Sequence, residues 1–95
     1  MMRRSVDGLM DRALSQEEID RIHEVLSELS GEGCTFANLR TRVAGSVHFA
    51  DVHLRVPAEW SVKRAHDLAD AVERAVEERT GARLTTHVEP LDSTR

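Results

Sequence analysis

Three histidines and a glutamate in the second half of the chain could bind a metal ion. They are His53 in Val52-His53-Leu54, His66 in Arg64-Ala65-His66-Asp67-Leu68-Ala69-Asp70, and His87 with Glu89 in Thr86-His87-Val88-Glu89-Pro90. Neutral imidazole and carboxylate both suit borderline divalent ions, and three histidines with one glutamate would complete a tetrahedral zinc shell. Cobalt, nickel or copper could use the same donors, because affinity order alone does not select zinc. Residues i and i+2 on a strand share a face, so His87 and Glu89 can present a nitrogen and an oxygen together.

The elements that must position these side chains follow from periodicity. Ser15-Gln16-Glu17-Glu18 has the form of a capping box, in which a hydroxyl and a carboxylate satisfy orphan amides at a helix start. Ile19, Ile22, Leu26 and Leu29 then recur at helical spacing until Gly31 and Gly33 end the run. Residues 34–43 and 47–56 alternate as two strands around Ala44-Gly45-Ser46, a glycine-containing connection suited to a hairpin, and Pro57 closes the second. Ser61 is a good N-cap for a second helix, with Trp60 placed to staple its first turn. Val62, Ala65, Ala69, Val72 and Val76 form that helix's apolar stripe as far as Gly81. Residues 83–89 alternate again, with Leu84, Thr86 and Val88 on one side and Thr85, His87 and Glu89 on the other.

The order is α-β-β-α-β. The second strand, second helix and third strand form a crossover unit, which should be right-handed with its strands parallel. If those strands are neighbours, both helices cover one face of a three-stranded mixed sheet and leave the other bare. Ala50, Val52, Leu54 and Val56 then point to the helices, while Val47, Phe49, Asp51, His53 and Arg55 occupy the open face. His53, His87 and Glu89 share that face. His66 lies beside the helical stripe on the opposite layer and would reach them only from the sheet edge or from a second protomer. Phe49 and Val47 make the open face a candidate association surface.

Composition narrows the function classes. A chain of 95 residues supports one domain and one modest core, burying roughly 60 to 65% of the surface its unfolded form exposes. With one Trp, two Phe and no Tyr, that core must be aliphatic. A formal net charge of −4 opposes nucleic-acid binding, which rests on clustered Lys and Arg. No window approaches the roughly 18 to 20 apolar residues that cross a bilayer. A lone cysteine and no secretory leader point to a cytoplasmic setting. There is no nucleophile and base motif, phosphate loop or recognisable carboxylate pair, so catalysis is not expected.

The remaining polar residues have simpler readings. His48 has helix-facing parity and His23 borders the first helical stripe, so both read as structural or solvent-facing. Cys34, near a strand start, reads as a small buried apolar group. Asp67 and Asp70 could orient His66, since Asp70 lies one turn on, although a solvated acidic face explains them equally. Glu73, Glu77 and Glu78 read as the solvent side of the second helix. Residues 1–14 form a lead-in, with a short helical turn over residues 9–13, residues 15–90 the domain, and residues 91–95 a tail.

Several segments together resemble the cytoplasmic C-terminal domain of cation diffusion facilitator transporters, which export zinc and related divalent metals. Leu9-Met10-Asp11-Arg12-Ala13-Leu14 is similar to the family's linker after its last membrane helix, and Leu39-Arg40-Thr41-Arg42 to its first-strand signature. His53-Leu54, Ala65-His66-Asp67-Leu68-Ala69-Asp70 and His87-Val88-Glu89-Pro90 are similar to its later motifs. The resemblance implies an α+β, ferredoxin-like, metallochaperone-type two-layer sandwich. It further implies pairing into a V-shaped homodimer that binds divalent metal between or near its protomers and tightens as it does so. By position His53, His66, His87 and Glu89 fall on family ligand positions, Glu89 standing where aspartate is common. Ala37 and Asn38 stand where the family often has a histidine before Asp-Leu-Arg-Thr, which argues for one metal per protomer rather than two. The six membrane helices are absent, which fits either a segment excised from a transporter or, the expectation here, a stand-alone protein. The resulting reading is a homodimer that senses or buffers zinc-like ions. The alternative is an interaction module that uses the open face to bind a partner such as a transporter's cytoplasmic domain, with metal incidental.

Overall fold

The computed structural model describes residues 13–31 and 33–91. The helical turn expected in the lead-in falls almost wholly outside them. Helix α1 (Gln16–Leu29) starts at Ser15, whose extended backbone and Oγ, accepting from the Glu18 amide at 3.1 Å, form half of the expected capping box. The reciprocal half is not made. Glu18 is only 8% exposed and turns its carboxylate to His48 Nδ1, 2.9 Å from each oxygen. A buried carboxylate needs a hydrogen-bond partner, and a donor on the sheet satisfies it better than the amide of its own N-cap. His48 is thus structural, tying α1 to the start of the second strand. Ile22, Val25 and Leu26 are buried, while Ile19 and Leu29 pack at the margin.

Strands β1 (Thr35–Ala44) and β2 (Val47–Val56) pair antiparallel across a two-residue turn. Positive φ at Gly45 (64°) but not at Ser46 is the pattern of a type II′ hairpin. One irregularity was not foreseen. The register shifts between Ala37 and Arg40, and Asn38 adopts φ 58°, so Asn38 and Leu39 together oppose Val52. This β-bulge has a cause in the sequence: Phe36 and Leu39 both pack on the core at an odd spacing, which a period of two forbids unless a residue is inserted. Asn tolerates the left-handed conformation better than most residues.

Helix α2 (Val62–Thr80) is capped by Ser61 Oγ, accepting from the Arg64 amide at 3.0 Å, and ends at Gly81 with φ 83°. Ala65, Ala69, Val72 and Val76 are buried as expected, but Val62 is 86% exposed. Its angular position on the helix is right. At the first turn, however, no core residue lies over it, and with Trp60, Val88 and Pro90 it lines an open groove of about 340 Å³. Trp60 does sit at the helix start, packed on the core margin with the Arg64 guanidinium 3.9 Å from its ring centre. Arg79 grips Glu28 at 2.6 and 3.2 Å and links the two helices.

Strand β3 (Arg83–Pro90) pairs parallel with β2, giving the sheet order β1-β2-β3. Ala50, Val52, Leu54 and Val56 of the central strand are all buried beneath the helices, leaving the other face open. Cys34 is buried, its thiol donating to the Gly31 carbonyl at 2.8 Å. Val88 has inward parity but is 45% exposed, because it lies at the end of an edge strand. No helix among the described residues is long and apolar enough to cross a membrane.

Candidate metal centre

The parallel pairing of β2 and β3 sets His53 opposite His87 and Arg55 opposite Glu89. On the other side of β2, Ala37 of β1 pairs with His53. The open face therefore carries a row of Ala37, His53 and His87, followed by a row of Thr35, Arg55 and Glu89. The two imidazole rings lie 5.2 Å apart between centroids, tilted by 39°. Glu89 spans both rows: Oε1 lies 3.4 Å from His53 Nδ1, and Oε2 accepts from Arg55 Nε at 2.7 Å. Ala37 adds only a methyl group beside His53, so β1 brings no donor to this row.

The Arg55 guanidinium, and next the imidazole of His53, hold the Glu89 carboxyl below its ordinary value. A carboxylate lowered in the folded state contributes stability above its unfolded value of about 4.3, and that stability is lost as pH falls through the folded value. The Glu89→Gln variant should therefore melt below the wild type at neutral pH. The gap should close as the pH is taken below about 4, a trend that thermal melts across pH 2–7 would read directly.

His66 stands apart. Its Nδ1 lies 3.4 Å from the Asp70 carboxylate one turn along α2, and both side chains are exposed. The ring lines the groove at the sheet edge that Val88, Glu89 and Pro90 also line. Asp67 is engaged elsewhere, accepting from Lys63 at 2.9 Å. Among the described residues, no three His, Cys, Asp or Glu side chains converge closely enough to hold an ion. The donors fit zinc in kind: two imidazoles stand side by side with a carboxylate against one of them. They do not close a four-ligand shell within one chain.

Strand parity puts Arg55 on the open face with His53, His87 and Glu89, but the sequence reading did not pair it with Glu89. Its signal was nevertheless present, since Arg55 is two residues beyond His53 just as Glu89 is two beyond His87. A parallel pair that aligns the histidines also sets Arg55 opposite Glu89, within reach of its carboxylate.

Residues 14–91 match the family model described as the cytoplasmic domain of cation efflux proteins. The chain belongs to the cation efflux family. Among cation efflux relatives, an uncharacterised transporter of Synechocystis is 41% identical over 93 residues, which is 97% of this chain and 30% of that protein. The chain spans about 30% of the length of the curated relatives it matches, which are named as transporters and efflux pumps rather than enzymes. The zinc form of CzrB is 39% identical with a TM-score of 0.77, covering 90% of this chain and 98% of that one. The metal-bound C-terminal domain of the CzcD transporter from Thermotoga maritima is 26% identical with a TM-score of 0.72, covering all of both chains. The cation efflux domain here thus has the ferredoxin-like α-β-β-α-β architecture of domains that have been solved with metal.

Proposed function

We propose that this cation efflux domain, residues 15–90 between a lead-in and a short tail, is a cytoplasmic homodimer. It binds a zinc-like divalent ion on its open sheet face and closes as it does so, sensing or buffering the metal, alone or beside a transporter's membrane part. The observation that carries this reading is the in-register pairing of His53 with His87, with Glu89 against His53. In the proposal Glu89 turns toward the ion, and His66 completes the shell from the sheet edge or from the partner protomer. One ion per protomer follows, since Ala37 leaves β1 without a donor. The likeness to a zinc form and a metal-bound domain supports the metal, and the family model's designation as a dimer supports the pairing. Titrating zinc while recording Trp60 fluorescence and molar mass tests both parts. Binding no tighter than that of scattered surface histidines, or a monomer throughout, would sink it.

The association surface has its own test. Phe49 is half-buried on the open face, with the Arg42 guanidinium 4.3 Å from its ring centre. Phe49→Glu places a carboxylate at that face without touching the core beneath α1 and α2. The variant is expected to keep its circular dichroism and lose dimerisation in light scattering. A persistent dimer would move the interface elsewhere.

A second reading is favoured by one specific observation: Glu89 is already held by Arg55, and among the described residues no three donors converge. On this reading the open face docks a protein partner, such as a transporter's cytoplasmic domain, with metal incidental. Metal-independent dimerisation together with absent zinc uptake would select it.

A further inference from the structure

Glu89, the carboxylate among the proposed donors, already accepts from Arg55. We propose that Arg55 is a counter-ligand for Glu89: it occupies the carboxylate when the face holds no ion, and so sets the metal affinity below what the donors alone would give. The inference rests on the metal-binding reading above and concerns how that same site is tuned.

Three observations carry it. Arg55 Nε donates to Glu89 Oε2 at 2.7 Å, whereas His53 approaches the other oxygen only at 3.4 Å, so the guanidinium holds the carboxylate more closely than its histidine neighbour does. The parallel register fixes the arrangement, because aligning His53 with His87 necessarily aligns Arg55 with Glu89. Arg55 is also the only residue of that row to face Glu89 with a charge, since the third member, Thr35, is neutral. A charge-assisted hydrogen bond is roughly twice as strong as a neutral one, so Glu89 cannot turn toward an ion without giving up a real interaction. Both side chains are partly exposed, which screens the pair and keeps it breakable. Arg55 is therefore a positioning residue. It holds Glu89 along the sheet, and it releases the carboxylate only to a cation of higher charge seated at His53 and His87, which favours divalent over monovalent ions.

Zinc affinities of the wild type, Arg55→Gln, Glu89→Gln and the Arg55→Gln/Glu89→Gln double variant, measured by calorimetry at constant ionic strength, test this. Arg55→Gln is expected to bind zinc about tenfold more tightly, equivalent to about 1.4 kcal/mol. In the Glu89→Gln background the same change should have no effect, because no carboxylate remains to be released. Equal tightening in both backgrounds would show simple charge repulsion and overturn the proposal, as would unchanged or weaker binding in Arg55→Gln. The underlying metal reading fails on a separate sign: zinc binding by the wild type, with Arg55 intact, that is the same in a His53→Ala/His87→Ala variant. The proposal would then fall with it. Circular dichroism melts confirm that each variant is folded.

Discussion

Replacing His53 and His87 together by alanine is expected to weaken zinc binding by more than about a hundredfold. Loss of an outer partner that merely orients a metal ligand costs about 10- to 100-fold, and here two direct donors would go at once. Of the proposed ligands on the face only Glu89 remains, and its carboxylate already accepts from Arg55. Neither imidazole belongs to the core, because His53 and His87 both project from the open side of the sheet, away from Val52 and Leu54. Unfolding free energy should therefore change by no more than about 0.5 kcal/mol, as for substitutions away from packed features. His23→Ala is the matched control: it removes one exposed imidazole from α1 and should leave zinc affinity unchanged. His48 would be a poor control, since removing it strands the buried Glu18 carboxylate. Calorimetry on the three proteins decides the matter, and unchanged affinity in the double variant would remove the open face from consideration.

How much of this was legible in the sequence depends on which force fixes each residue. The inward row of β2 and the stripe of α2 from Ala65 to Val76 follow from periodicity, because burial of one face is what sets strand register and helix rotation. Periodicity fails where the other layer ends. Val62 has the right angle but nothing above it, and Val88 the right parity but an edge position. Polar residues were harder, because each has several local options that only tertiary neighbours decide. Glu18 fitted a capping box, yet it faces His48 across the helix-sheet gap. Glu89 read as a free donor, yet it pairs with Arg55. The bulge at Asn38 and Leu39 lay between these cases, since the odd spacing of Phe36 and Leu39 announced it although each residue alone looks ordinary. Strand parity thus brought three of the four proposed ligands to one face. It could not bring His66, whose approach depends on the sheet edge and on contacts beyond one chain.

The largest stability effect is expected at Leu54. It is fully buried in the central strand and packs with Val56, Ala65, Ala69 and Cys34, with Phe36 and Trp60 at the margin. Removing a large buried aliphatic side chain costs about 2–5 kcal/mol, more where the surroundings cannot collapse into the space. Here the helix facing it presents Ala65 and Ala69, whose methyl groups are too short to reach in, and β2 is held on both sides by β1 and β3. Leu54→Ala should therefore fall in the upper part of that range. That is a large fraction of the roughly 5–15 kcal/mol that keeps a small domain folded. Val62→Ala is the informative partner, because Val62 on the helical stripe and Leu54 on the inward row of β2 both read as core-facing while only Leu54 is covered; it should cost less than about 0.5 kcal/mol. Denaturant midpoints at fixed protein concentration, needed because dimerisation would add to apparent stability, measure both. A cost below about 1 kcal/mol for Leu54→Ala would mean that the cluster relaxes into the gap. Relaxation of that kind would also disturb the open face, because the backbone that turns Leu54 inward turns His53 and Arg55 outward on either side of it. A Leu54→Ala protein that relaxed in this way would bind zinc more weakly than the wild type although no proposed ligand has been changed, whereas one that keeps its cavity open should bind zinc as the wild type does.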